Sequence, residues 1–136
     1  MRIFAVDHGN ARCGCAVSDP TETIARPIET IEPTEAAAVA RLVRDSEAEL
    51  VVVGLPLRLS GEEGPQAVIA RSFRDELASL VDVPVDTYDE RLTTRMAERT
   101  AKSDPSGSQD SVAAAHLLEG YMQHRAHSGA DGGEDL

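Results

Sequence analysis

Residues 2–18, RIFAVDHGNARCGCAVS, determine how the rest of the chain is arranged. Residues 2–7 form an apolar run that ends in an acid, and residues 13–18 alternate around small side chains, so each segment predicts a strand. The intervening residues 8–10, His-Gly-Asn, predict a tight turn because Gly and Asn tolerate positive φ. The chain is therefore predicted to open with an antiparallel hairpin.

Beyond the hairpin, strands and helices alternate. A third strand over residues 24–31 is predicted at a sheet edge, because Pro27 cannot donate a ladder hydrogen bond. The continuous apolar run at 50–53 predicts a central strand that is covered on both faces. A further strand is predicted over 83–88, and helices are predicted over 36–46 (with Thr34 as a possible N-cap), 65–80, 93–100 and 110–125.

This order of elements, β-β-β-α-β-α-β-α-α, predicts an α/β fold. Three leading strands form an antiparallel meander, and the later strands, each followed by a helix, add in parallel. The expected architecture is a mixed central sheet with helices on both faces. On the second predicted helix, the apolar positions at helical spacing that should face the core are Val68, Ile69, Phe73, Leu77 and Leu80.

Length and composition fit a single domain. The chain has 136 residues, and its 3% aromatic content without Trp predicts an aliphatic core. We predict a domain over residues 1–126 and a disordered acidic tail over 127–136. No apolar run approaches the roughly 20 residues of a membrane span, and the first residues lack a secretory-signal pattern. We therefore expect a cytoplasmic protein.

The net charge limits how a partner can be held. It is −11 at pH 7, and it remains −8 without the three acids of the tail. Such an acidic chain opposes nucleic-acid binding by bulk electrostatics. Any nucleic acid would have to be held by local Arg side chains or through bound cations.

The two cysteines, Cys13 and Cys15, are two residues apart on a predicted strand and therefore share a face. We interpret them as small buried strand residues. A metal pair is disfavoured because no cluster of Cys or His lies nearby in sequence. An intermolecular disulfide remains an alternative.

Three acids stand at predicted element ends: Asp7 at the end of the first strand, Glu90 after the last strand, and Asp110 at the start of the last helix. In open α/β sheets ligands gather at the carboxyl ends of strands. Asp7 and Glu90 should meet there if their strands are parallel neighbours. Structural alternatives are an exposed turn acid at Glu90 and a helix N-cap at Asp110.

Converging carboxylates repel one another and are balanced by a hard cation such as Mg²⁺ or Mn²⁺. Two such ions can activate a water and stabilise the leaving oxygen of a phosphodiester. The three acids therefore predict a candidate site for metal-assisted hydrolysis at one end of the sheet.

Several motifs match a known family in order. They are DHG at 7–9, RCGCAVSD at 12–19, RPIETI at 26–31, VGLPL at 53–57, DERLTT at 89–94 and DSVAA at 110–114. By these motifs, which span nearly all of residues 1–126, the chain resembles the YqgF/RuvX family of pre-16S rRNA nucleases and Holliday-junction-resolvase-like proteins.

The resemblance implies a ribonuclease H-like fold and metal-dependent cleavage of phosphodiester bonds. It assigns catalysis and the binding of two Mg²⁺ or Mn²⁺ ions to Asp7, Glu90 and Asp110. It also implies a nucleic-acid partner in the cytoplasm, either the 5′ end of pre-16S rRNA or branched DNA such as a Holliday junction. A homodimer is compatible with it.

Four further motif residues are candidates for substrate binding. Arg12 and Arg91 carry the planar fork that bonds phosphate in a bidentate manner, with salt bridges to the abundant acids as the alternative. Thr93 can bond a phosphate as well as cap a helix, and Gln66 can contact a sugar or base.

Two other functions fit parts of the sequence. A non-catalytic nucleic-acid or ribosome-associated module is favoured by the acidic charge and by the loop over residues 102–109, which is short and holds one base where many family members have a longer, more basic segment. The presence of all three acids opposes it. An ATP-using phosphotransferase shares the strand-Asp-x-Gly pattern of residues 7–9, but it needs two such domains, for which 136 residues leave no room.

Overall fold

The computed structural model describes residues 1–9, 11–56, 64–89 and 109–132, and for 109, 110 and 127–132 it describes the backbone alone. These ranges contain five strands and three helices. The strands are β1 Ile3–His8, β2 Cys13–Ser18, β3 Ala25–Ile31, β4 Leu50–Leu55 and β5 Val85–Asp89. The helices are α1 Ala36–Ser46, α2 Pro65–Leu80 and α3 Gln109–Gly132.

The five strands form one sheet in the order β3-β2-β1-β4-β5. Strands β1, β2 and β3 pair antiparallel, whereas β4 runs parallel to both β1 and β5. The predicted meander with added parallel strands is therefore confirmed. Strand β3, which contains Pro27, lies at the edge of the described sheet as predicted.

Helices cover both faces of the sheet, as expected. Alternation along β1 sends Phe4 and Val6 into the core beneath α1 and α2, and it sends Ile3 and Ala5 into the core beneath α3. Strand β4 is buried at every position, which explains its uninterrupted apolar run.

The cysteine prediction is confirmed. Cys13 and Cys15 are both fully buried on the α1/α2 face of β2, and both remain thiols. A hydrogen bond with the Cys13 thiol, together with burial, raises the pKa of the Cys15 thiol.

The predicted buried face of α2 is partly wrong. The buried positions are Ala67, Ala70, Phe73 and Leu77, whereas Val68 is 56% exposed, Ile69 is 41% exposed and Leu80 is 42% exposed. Small alanine side chains let the helix backbone approach the end of β4, where Leu55 packs against Ala67 and Ala70. That close approach turns the larger apolar side chains outward.

Two helix ends also differ from prediction. Thr34 does not cap α1: Glu35 occupies the N-cap position without a side-chain hydrogen bond, and the Thr34 hydroxyl instead donates to the Gly9 carbonyl oxygen at 2.7 Å. Helix α3 continues to Gly132 rather than ending near Arg125, since adding a residue to an existing helix costs little. It thus takes in the first residues of the segment predicted to be disordered.

The domain boundary at residue 126 stays a prediction, and residues 133–136 lie outside the described ranges. The helix predicted over 93–100 also lies outside them. Within the described residues, no helix combines the length and apolar character needed to cross a membrane.

Candidate active site

Asp7 lies near the carboxyl end of β1, on the face of the sheet that α3 covers. The two residues before it on that face are Ile3 and Ala5, and both pack against α3. Asp7 itself is half-buried, and its partner across the antiparallel ladder is Gly14. Directly paired residues share a face, and Gly14 has no side chain, so no side chain from that position on β2 lies beside the Asp7 carboxylate.

The first turn of α3 is fixed at this end of the sheet by a pair of hydroxyl groups. The Oγ1 atom of Thr30 lies 2.7 Å from the Oγ atom of Ser111, and Ser111 is only 2% exposed. Thr30 is the β3 partner of Gly14, so Thr30, Gly14 and Asp7 lie at one level of the meander. With adjacent strands about 4.8 Å apart, Thr30 lies roughly 10 Å from Asp7.

Asp110 directly precedes Ser111 and belongs to the first turn of α3. The fold therefore brings the backbone of Asp110 to the same end of the sheet as Asp7, as the sequence predicts. The Asp110 side chain lies outside the described part of the structure, and so its role stays a prediction.

The end of β5 lies at the same edge. Val6, Val53 and Thr87 stand at one level of the parallel ladders, and β5 ends two residues later at Asp89. Strand β4 separates β1 from β5, so the two strands are parallel but are not immediate neighbours. Glu90 follows Asp89 in sequence and lies outside the described residues.

A tyrosine on β5 further secures α3 near this edge. The Tyr88 hydroxyl donates to the Gly120 carbonyl oxygen at 3.2 Å, and the Tyr88 ring packs edge-on against Tyr121 with centroids 5.5 Å apart. Burial raises the pKa of both phenols. These contacts hold α3 against β5 as well as against the meander.

Two of the predicted substrate-binding residues are described. Arg12 is exposed and directly precedes β2, whose first residue Cys13 pairs with His8 at the end of β1. Gln66 is exposed in the first turn of α2, next to the Ala67 that packs on the end of β4. Both therefore stand at the same edge as Asp7. The other two, Arg91 and Thr93, lie outside the described residues.

His8 is the last residue of β1 rather than part of an exposed turn. Its ring is half-buried and lies 4.7 Å from the ring of Phe73 on α2. Burial lowers the pKa of the His8 imidazole. His8 thus points to the α1/α2 face, opposite to Asp7.

The donor chemistry at this edge is compatible with a hard divalent cation. Among the side chains that the structure describes, no three His, Cys, Asp or Glu residues cluster as a metal site. Two of the three predicted ligands, Glu90 and Asp110, have side chains outside that set. The predicted ligand that is described, Asp7, offers carboxylate oxygens, which are the donor type that Mg²⁺ and Mn²⁺ prefer.

Sequence reasoning missed the pair formed by Thr30 and Ser111. Both residues stand inside motifs that carry the family resemblance, RPIETI and DSVAA, but no role was assigned to either. The available signal was a hydroxyl directly after Asp110 at a helix start. Its partner on β3 cannot be read from the sequence, because the contact spans 81 residues.

Comparison with known proteins agrees with this geometry. The family model described as "RuvX: Holliday junction resolvase" matches residues 1–124. A protein of Anaeromyxobacter dehalogenans (strain 2CP-C), named "Putative pre-16S rRNA nuclease", is 40% identical over 93% of this chain and 99% of its own length. A protein of the same name from Roseiflexus sp. (strain RS-1) is 40% identical over 89% of this chain and 93% of its own length.

Solved structures share the fold at low identity. The T. thermophilus RuvC in complex with a Holliday junction substrate superposes with a TM-score of 0.68 at 16% identity, covering 94% of this chain and 97% of that one. The fowlpox virus Holliday junction resolvase superposes with a TM-score of 0.55 at 15% identity, covering 91% of this chain and 99% of that one. The chain therefore belongs to the RuvX family, and it is a nuclease with a ribonuclease H-like fold.

Proposed function

We propose that this nuclease is a metal-dependent endonuclease that processes the 5′ end of pre-16S rRNA in the cytoplasm. Cleavage of four-way DNA junctions is the second substrate class to test. The rRNA is placed first because relatives at 40% identity carry that name, whereas the junction-bound structural neighbour is only 16% identical.

One observation carries the proposal: the hydroxyl pair of Thr30 and Ser111 holds the start of α3 at the level of Asp7. Two carboxylate-bearing positions, Asp7 and Asp110, thereby come to one end of the sheet. A third, Glu90, follows the strand that ends at that edge. In an open α/β sheet this is where a ligand is expected.

In this proposal Asp7, Glu90 and Asp110 hold one or two Mg²⁺ or Mn²⁺ ions. When bound, the ions supply the Lewis acidity that activates water and neutralises charge on the phosphodiester. The protein residues position the substrate: Arg12 and Arg91 bond phosphate oxygens, and Thr93 and Gln66 contact phosphate, sugar or base. A homodimer remains a further prediction.

The acidic character of the chain limits how affinity arises. With a net charge of −11, long-range attraction to a polyanion is absent, and binding depends on the local Arg side chains and on the cations. We therefore expect divalent ions to be needed for tight binding as well as for cleavage.

The test is cleavage by the purified full chain. Labelled pre-16S leader RNA and a four-way DNA junction are each offered with Mg²⁺, Mn²⁺ or EDTA. The variant Asp7→Asn is compared with Asp75→Asn, which makes the same change at an α2 side chain that is 68% exposed. We expect metal-dependent cutting of the RNA, abolished by Asp7→Asn and retained by Asp75→Asn.

Two results would contradict the proposal. Cutting that survives both EDTA and Asp7→Asn would exclude the metal site. Binding of the leader RNA without any cutting would favour the alternative of a non-catalytic module, which the acidic net charge of the chain also favours.

A further inference from the structure

A groove of about 550 Å³ opens on the face of the sheet opposite to Asp7, between α1 and α2. It begins at His8, the residue directly after Asp7, and it extends along α2 past Ile69, Phe73 and Glu76. Its volume falls in the range of about 300–1,000 Å³ that is typical of small-ligand pockets. None of the roles assigned above uses it.

Aromatic and apolar side chains line part of the groove. The His8 ring lies over Phe73, with centroids 4.7 Å apart and planes at 42°. Phe73 is only 6% exposed, whereas the His8 ring is half-buried. Ile69 also lines the groove and is 41% exposed, although its neighbours on the buried stripe of α2 are alanines. An aromatic or heteroaromatic ring can stack on such side chains.

The groove also carries acceptors of hydrogen bonds, and two of them, Ser72 and Glu76, lie on the same stripe of α2 as Phe73. Glu35, Ser72 and Glu76 are exposed and line the groove. Two carboxylates repel a phosphate group, but they accept hydrogen bonds from N–H donors. The chemistry of the groove therefore suits an uncharged ring that carries amino groups, and it opposes an anion.

The groove is adjacent to the proposed cleavage site. The Cα atoms of Asp7 and His8 are about 3.8 Å apart, and the two side chains point to opposite faces of β1. A substrate strand that crosses the end of β1 can place a phosphate at Asp7 and insert a neighbouring base on the other side.

We propose that this groove binds an unpaired nucleobase next to the scissile phosphate, stacked on His8 and hydrogen-bonded to the carboxylates of Glu35 and Glu76. Adenine, cytosine and guanine carry exocyclic amino groups that donate to these carboxylates. Uracil presents carbonyl oxygens in their place and is disfavoured. The inference rests on the proposed function, because it takes the nucleic acid at Asp7 as given.

The experiment is a base-by-base scan of binding. The full-length protein is titrated with leader RNAs in which each nucleotide in turn is abasic or uridine, with Ca²⁺ replacing Mg²⁺ to suppress cleavage. We expect one position beside the cleavage site where loss of the base weakens binding about tenfold, the loss of one stacked base. Uridine at that position should weaken binding in the same direction.

Two pairs of variants locate the effect. Ser72→Trp fills the groove and should remove the dependence on that base, whereas Ser79→Trp makes the same change two turns along α2, outside the groove. Glu76→Gln removes an acceptor charge and should reduce the discrimination against uridine. Asp75→Asn removes a neighbouring charge and should leave it unchanged. The charge variants keep the test valid if the bulky one does not fold.

The outcomes separate this inference from the proposed function. The groove inference is overturned if the RNA binds tightly but no single abasic or uridine substitution weakens binding. It is also overturned if Ser72→Trp and Ser79→Trp change the dependence on that base equally. Neither result contradicts the nuclease proposal. Failure of the unmodified protein to bind or cut the leader RNA and the junction overturns both.

Discussion

The hydrogen bond between the hydroxyls of Thr30 and Ser111 should contribute both to the stability of the fold and to the rate of cleavage. The oxygens are 2.7 Å apart, and Ser111 is 2% exposed. Ser111→Ala removes one partner and leaves the Thr30 hydroxyl without that bond. The free energy of unfolding should fall by about 1–2 kcal/mol, which corresponds to a Tm lowered by roughly 3–8 °C for a chain of this size.

The double variant Thr30→Val/Ser111→Ala isolates the pairwise contribution. If the two hydroxyls stabilise the fold mainly through each other, the double variant should cost less than the sum of the single variants, by about 1 kcal/mol. Urea denaturation of the four proteins measures this difference. Strict additivity would show that the two residues act independently and would refute the reasoning.

Cleavage should fall more steeply than stability. The contact sets the position of the first turn of α3, and a displacement of about 1 Å at a reacting centre can cost about 100-fold in rate. We therefore expect kcat of Ser111→Ala to fall by at least about tenfold at a temperature where the protein is still folded. Ser46→Ala is the matched control, because the Ser46 hydroxyl donates to the Val43 carbonyl oxygen at 2.9 Å at the far end of α1. Full activity of Ser111→Ala would show that this contact does not position the site.

Three further predictions concern other contacts. Gly9→Ala would place a Cβ 2.5 Å from the backbone oxygen of Arg12, so the free energy of unfolding in urea should fall by about 1–3 kcal/mol; an unchanged midpoint would contradict the close approach. The Arg125 guanidinium bonds Glu22 at 3.0 Å and lowers the pKa of that carboxyl. This stabilisation is present above the ordinary Glu pKa of about 4.3 and is lost as pH falls through the lower folded value, so the Tm deficit of Glu22→Gln should be seen at pH 7 and shrink towards pH 3. Finally, burial raises the pKa of both tyrosines of the chain, so ultraviolet titration should show tyrosinate forming at a higher pH than the ordinary pKa of about 10; a midpoint at or below that value would contradict the burial.

The sheet could be predicted from sequence because its signals are local. The alternation around Gly14 and the uninterrupted apolar run of β4 each reflect how the segment is buried, and the bounds of β2, Cys13–Ser18, are those predicted. The end of α1 and both bounds of α2 were likewise predicted correctly. Proline at the start of α2 and the apolar spacing along both helices provide that signal.

The buried face of α2 was not predictable by hydrophobicity alone. Its packing depends on how closely the helix approaches β4, and small side chains such as Ala67 and Ala70 permit the approach while larger ones such as Ile69 turn outward. Thr34 was misassigned because α1 begins at Ala36, which makes Glu35 the N-cap; the Thr34 hydroxyl donates to the distant Gly9 carbonyl oxygen. Contacts between distant segments decided the buried face of α2.

The candidate site was predictable in part. Asp7 stood out because an acid ends an apolar strand, and the structure places it at the edge expected of it. Its relation to the start of α3 follows from Thr30 and Ser111, and a contact across 81 residues leaves no local pattern. The roles of Glu90, Arg91 and Thr93 remain predictions.

The packing of α3 has a consequence for the moment at which this enzyme becomes active. Helix α3, the last described element along the chain, contacts β1, β2 and β3, which precede it by about 80 residues or more. During synthesis, the hairpin of β1 and β2 keeps its α3 face uncovered until α3 has left the ribosome. A nuclease whose proposed target is an immature ribosomal RNA would thus stay inactive on the nascent chain, since the proposed metal ligands Asp7 and Asp110 meet only after translation has passed Ser111.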